Sequence, residues 1–164
     1  MKKLLVLLMM FMTIINISAQ ESNELQKIDS LQYQIDRLQH NYDYLDCEYK
    51  LNKLMLELNI YASELKISVN SLSMNFYHGG YDEKIYQINK KNYEACKDNL
   101  EEKEQLIFWT KLNVKQKMES VDFYETEINV LKSSFDTIDA GLYSAKTALE
   151  YYKGVLDAYR DCRQ

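Results

Sequence analysis

Apolar residues recur along this chain at spacings of three and four for most of its length, the pattern of helices that bury one stripe. From Leu25 they fall at Ile28, Leu31, Ile35, Leu38, Tyr42, Leu45 and Tyr49. After Cys47 the stripe shifts and widens. Leu51, Leu54, Leu58, Tyr61, Leu65, Leu72 and Phe76 make one row, and Leu56, Ile60, Ile67 and Met74 make a second beside it. Two adjacent rows predict a face shared between two neighbours or set into a deeper core. From Tyr86 onward every seventh residue is apolar, through Tyr93, Leu100, Ile107, Val114, Val121, Ile128, Phe135, Leu142, Leu149 and Leu156. The companion row, Cys96, Lys103, Thr110, Lys117, Tyr124, Leu131, Ile138, Ala145, Tyr152 and Tyr159, is polar in its middle and apolar towards its end. A seven-residue repeat held over about ten heptads predicts coiled-coil packing. Lys103 and Lys117 can snorkel out of such a seam without breaking it.

Turn chemistry is scarce, because the chain has 0 Pro and 4 Gly. Gly79-Gly80 predicts a turn, since two glycines tolerate positive φ and each costs a helix about 1 kcal/mol relative to Ala. A second turn is expected near Asp136. Ser133, Ser134, Asp136 and Thr137 are N-cap types, Asp139 follows Asp136 by three, and Gly141 comes next. Together these signals predict an all-α fold with helices over about 21–77, 82–135 and 138–162. It is a long antiparallel coiled-coil hairpin with a C-terminal helix folding back to form a partial three-helix bundle. The first two helices would each run roughly 80 Å at 1.5 Å per residue, so the hairpin closes level with its own start. Against the fold-back, the seven-residue row passes through Phe135 and Leu142 without a phase change, as one continuous helix over 82–162 requires.

The N-terminus adds a compartment. Met1-Lys2-Lys3, an apolar run from Leu4 to Ile17 and then Ser18-Ala19-Gln20 give the order of a bacterial-type signal peptide over 1–19, cleaved after Ala19. The run is shorter than the roughly 20 apolar residues a membrane-spanning helix needs, and it contains Thr13 and Asn16. Residues 20–164 are then expected as a single helical domain, periplasmic or extracellular, with no transmembrane segment. The net charge of -5 becomes -7 once Lys2 and Lys3 are lost. Nucleic acid is not expected as a partner, because the remaining lysines are interleaved with acids rather than clustered.

Exported chains use cysteine for bridges, and three cysteines permit at most one within the chain. A hairpin turning between Gly79 and Gly80 sets Cys47 and Cys96 about 24 Å apart along the axis, too far for a disulfide. A second turn near residue 135 would bring Cys162 within one helical turn of Cys47, so a Cys47–Cys162 bridge is expected. Cys96 then remains as a small seam residue or an intermolecular contact. His40, Asp43 and Cys47 share a helix face at metal-ligand spacing, but the chain has only 2 His and no second ligand pair, so no metal or other cofactor is assigned. The Glu-x-x-His pairs of di-iron bundles are absent. No nucleophile elbow or phosphate-binding loop occurs, and no catalytic residue or enzyme activity is expected.

The 14 Tyr are the remaining signal. Phe76, Tyr77, His78, Tyr81 and Tyr86 surround the glycine turn as a recognition tip, since exposed Tyr offers contact area at low entropic cost. A second group, Tyr143, Tyr151, Tyr152 and Tyr159, reads as core or oligomer contact. The expected function is that of a non-catalytic structural, adaptor or protein-binding module in the cell envelope, with a protein partner or self-association. In size, export signal and helical hairpin the chain resembles in architecture the periplasmic holdase chaperones, which carry outer-membrane proteins on long helical arms. That resemblance implies binding of unfolded clients as the alternative. It does not extend to the short β-forming segment expected after the leader, which is absent, or to charge, which is acidic here.

Overall fold

Three helices account for these patterns: α1 (Lys2–Gly79), α2 (Glu83–Ser120) and α3 (Glu125–Asp161). The computed structural model describes residues 22–77 and 79–163 with their side chains. The signal peptide expected over 1–19 and the side chain of His78 lie outside the described residues. The chain divides into two units, Met1–Tyr42 and Asp43–Gln164. In the first, the described residues are helical, and Leu25, Ile28, Leu31, Ile35, Leu38 and Tyr42 are all exposed.

The second unit is an antiparallel hairpin closed by a returning third helix. α2 and α3 have 38 and 37 residues, about 55 Å each, and residues 43–79 of α1 run the same length. The rows predicted for α3 are its core seam. Leu131, Phe135, Ile138, Ala145, Leu149, Tyr152, Leu156 and Tyr159 are buried, with half-buried Leu142 filling the one gap in a strict alternation of three and four. From α1 the seam receives Cys47, Leu51, Leu54, Leu58, Tyr61, Leu65, Val69 and Leu72. α2 contributes only Leu100, Ile107 and Val114, one residue per heptad. Its companion row is the polar one, and there Lys117 reaches Asp43 at 2.7 Å and Lys103 reaches Glu57 at 3.6 Å, both on α1. Towards α3, Lys111 meets Asp139 at 2.6 Å and Lys146 pairs with Glu104. Partly exposed pairs of this kind contribute about 0–1 kcal/mol each, so their effect is on register more than on stability. Asp43 is different: it is 6% exposed, so its bond to Lys117 is made largely out of solvent.

One row of the predicted pair is buried and the other is not. Leu51 through Leu72 faces both α2 and α3, whereas Leu56, Ile60, Ile67 and Met74 are half or more exposed. The widened stripe therefore does not mark a deeper core, because a single row already serves both neighbours.

The first turn forms where the glycines predict. Gly80 takes φ +68 just past the end of α1, the left-handed position that favours Gly. Asp82 caps α2, its carboxylate accepting the N–H groups of Lys84 at 2.7 Å and Ile85 at 3.1 Å. The second turn is at residues 121–124, not near Asp136, so the helices expected over 82–135 and 138–162 are corrected to α2 and α3. Val121 leaves the helix in extended conformation, its N–H still bonded to the Lys117 carbonyl. Phe123 folds into the core against the edge of Tyr44, with ring centroids 6.3 Å apart. The Tyr124 N–H donates to Glu127 Oε2 at 2.9 Å, which is the Glu half of a capping box. Ser134 and Thr137 do not cap; their hydroxyls donate backwards to the carbonyls of Val130 and Ser133 inside α3. Gly141 lies within α3, where a Cβ would only touch Leu58 Cδ1 at 3.5 Å.

Val114 is 1% exposed, the last buried residue of the α2 seam. Val114→Asp would bury an unpaired carboxylate and is expected to cost at least about 3 kcal/mol. Loss of cooperative thermal unfolding, followed by circular dichroism, checks this.

Candidate functional site

The aromatic residues at the first turn divide into those that hold the bundle closed and those left at its surface. At the centre of the first set is Tyr159, fully buried near the end of α3. Its hydroxyl donates to the Gly80 carbonyl at 3.1 Å and accepts the Asp82 N–H at 2.9 Å. One phenol thus serves two backbone groups of the turn that no helix can satisfy. Phe76 packs on its ring at 6.1 Å and Tyr81 at 5.5 Å, while Tyr81 also contacts Tyr86 at 6.2 Å. The Tyr81 hydroxyl donates to Glu83 at 2.6 Å, which pushes the phenol pKa up; the bond from Gln87 and then that from Tyr81 hold the Glu83 carboxyl below its usual value. Arg163 closes the cluster from the C-terminus, 5.8 Å over the Tyr81 ring and 3.5 Å from Glu83.

Among the described residues of the predicted tip, then, Phe76, Tyr81 and Tyr86 are partly buried and act structurally, and Tyr77 stands out, 80% exposed. Tyr77 sets its ring edge-on to Phe76 at 5.5 Å. Both line a shallow apolar groove between α1 and α3 with Tyr151, Val155, Ala158 and Ser73. Tyr151 comes from the second tyrosine group and is likewise exposed. A groove with two exposed phenols on its rim can take an apolar side chain and hydrogen-bond the backbone beside it. The sequence signal for Tyr151 was its place one residue before Tyr152: adjacent positions on a helix face different ways, so a buried Tyr152 puts Tyr151 outside.

The same division holds deeper in the bundle. Tyr152 donates to Asn89 Oδ1 at 3.0 Å, and Tyr61 donates to the Cys96 carbonyl at 2.9 Å. Both phenols are pushed up by burial, Tyr152 to about 12 and Tyr61 in the same direction. Burial also raises the thiols of Cys47 and Cys96. Each of these shifts favours the neutral, unreactive form.

Cys47 and Cys162 are not brought together. All three cysteines are free; Cys47 is buried beside the second turn and Cys162 is exposed beside the first. Because α2 ends at Ser120, α3 runs the full length of the bundle and carries Cys162 to the far end, about 45 Å from Cys47 at 1.5 Å per residue. The expected disulfide is therefore corrected to two separate thiols. Asp43, one of three metal-type residues noted on α1, is engaged by Lys117, a bond that also raises the Lys117 pKa. Among the described residues no group of three or more His, Cys, Asp or Glu is placed to hold a metal ion, and no helix is long and apolar enough to cross a membrane.

No family model matches the chain, and no curated protein or solved structure matches it either.

Two outcomes follow from the buried phenols. Tyr159→Phe leaves the Gly80 carbonyl and Asp82 N–H without their partner and is expected to cost about 1–3 kcal/mol, with faster hydrogen exchange at the Asp82 amide. Alkaline titration tests the raised phenols. An unfolded chain gives up phenol protons near pH 10, but Tyr152 holds its proton to about 12. The contribution of this phenol to stability is therefore full below pH 10 and declines as pH rises from 10 to about 12, where the unfolded state binds fewer protons. Helicity and tyrosinate absorbance should change together over that range, and Tyr152→Phe should reduce the loss.

Proposed function

We propose that this chain is an exported, non-catalytic helical module of the cell envelope that binds a protein partner at the first-turn end of its bundle. The observation that carries this reading is the rim formed by Tyr77 and Tyr151, two exposed tyrosines over an apolar groove at the end of the bundle. Neither phenol is used in the hydrogen-bond set that closes the turn, which is complete with Tyr159, Tyr81 and Asp82. Free rigid aromatics beside a rigid scaffold suit recognition, because little side-chain entropy is lost on binding.

The non-catalytic part of the reading rests on the titratable groups. Tyr61, Tyr152 and Cys47 are buried in seams between helices, where burial raises each pKa and keeps the group neutral, and the cross-helix lysines face carboxylates. Such groups hold helices in register and offer no acid, base or nucleophile to a substrate.

The test is capture from the envelope fraction of the producing cell by the wild-type protein and by a Tyr77→Ala/Tyr151→Ala double variant. The double variant is expected to keep its helicity and melting temperature and to lose at least about tenfold in partner affinity, as truncation of two interface aromatics does. Unchanged capture would remove this groove from the account. Suppression of aggregation of unrelated unfolded proteins by both forms alike would instead favour the holdase-type reading.

A further inference from the structure

The first unit carries a stripe of exposed apolar residues. Every described residue from Ser22 to Gln39 is exposed, and Ile28, Leu31, Ile35, Leu38 and Tyr42 are each 58–68% exposed. Helices hold together in water chiefly by packing an amphipathic face on something else. We infer that this stretch of α1 pairs with the same stretch of a second copy as a parallel two-stranded coiled coil.

The residue types at each register position select that occupant. Taking Ile28 as a places Leu31 at d, Ile35 at a, Leu38 at d and Tyr42 at a. β-Branched Ile at a with Leu at d is the combination that favours two parallel strands. The same register in the sequence falls next on Leu45 and Tyr49, which are exposed in the second unit.

Charge favours a copy over a different partner. The flanking e and g positions between Ile28 and Tyr42 are Gln32, Gln34, Gln39 and Asn41, all neutral. The charged residues Asp29, Asp36 and Arg37 fall at b and c, away from the seam, and Asp36 accepts a hydrogen bond from Gln32 at 2.8 Å. In a parallel pair of identical strands the g position of one faces the e position of the other, so charges of one sign at both would repel. A partner chosen by complementary charge would find none here to read. Neutral flanks with matched Ile and Leu layers fit a second copy of this chain.

Sedimentation equilibrium of the purified protein at tens of micromolar gives the test, with Leu38→Glu as the disrupting variant and Ile67→Glu, on the exposed row of the second unit, as its control. Wild type and Ile67→Glu are expected at twice the chain mass, and Leu38→Glu at the mass of one chain with an unchanged thermal transition. A single-chain mass for wild type, or a Leu38→Glu protein that stays double, overturns the inference. Strand direction is read from Leu31→Cys with Cys162 replaced by Ser. Parallel strands in register place the two Leu31→Cys thiols opposite each other, so mild oxidation links the dimer, whereas an unlinked dimer would overturn the parallel arrangement. The Tyr77→Ala/Tyr151→Ala protein is expected to remain dimeric, so this inference and the groove reading fail separately.

Discussion

The bundle depends on phenols that cross from one helix to the backbone of another. A chain without proline and with two adjacent glycines as its only strong turn signal has little local means to fix where helices stop and how they align. Coiled-coil seams supply adhesion but tolerate a shift by one heptad, because each layer resembles the next. Tyr152 and Tyr159 remove that freedom, because the Asn89 side chain and the Gly80–Asp82 turn each stand at one place along the bundle, while Tyr61 adds a bond to the Cys96 carbonyl. A slip of seven residues would leave a buried phenol without a partner, a penalty of about 1–3 kcal/mol for each. Ion pairs between helices, Lys103–Glu57, Lys117–Asp43, Lys111–Asp139 and Lys146–Glu104 among them, lie along the same alignment and add to it.

Much of this was legible in the amino-acid pattern. The row from Leu131 to Tyr159 is the α3 seam, the row from Leu51 to Leu72 is the α1 seam, and Gly79-Gly80 gives the first turn. The second turn was hidden for a physical reason. Val121 and Ile128 both pack against the core, so the seven-residue row continues across residues 121–124 although the helix does not. Phe123 and Glu127 do there what glycine or an Asp cap does elsewhere, and neither residue type announces a turn. Misplacing that turn by about 13 residues is what set Cys162 beside Cys47 on paper. The phenol bonds were hidden as well, because their partners lie 35 to 79 residues away in sequence.

The tyrosine surplus thus has two origins. Half-buried and buried rings at Tyr61, Tyr81, Tyr86, Tyr152 and Tyr159 hold register and close the turn. Exposed rings at Tyr77 and Tyr151 belong to the surface, and it is these that carry the proposed recognition. The division follows helical periodicity: Tyr152 and Tyr159 are seven apart and share the seam, while Tyr151 lies one position off it. In unit one the same periodicity gives an exposed apolar stripe, the basis for the inferred pairing between copies.

The central claim is that α3 spans the whole bundle and returns to the first turn. Spin labels at Cys162 and at a cysteine replacing exposed Tyr49, in a Cys96→Ala, Leu38→Glu background that keeps copies apart so that only the distance within one chain is read, measure this directly. With the second turn at 121–124 the two labels stand about 45 Å apart at 1.5 Å per residue. A separation below about 20 Å would place the turn near residue 136, return Cys162 to the neighbourhood of Cys47 and contradict the account.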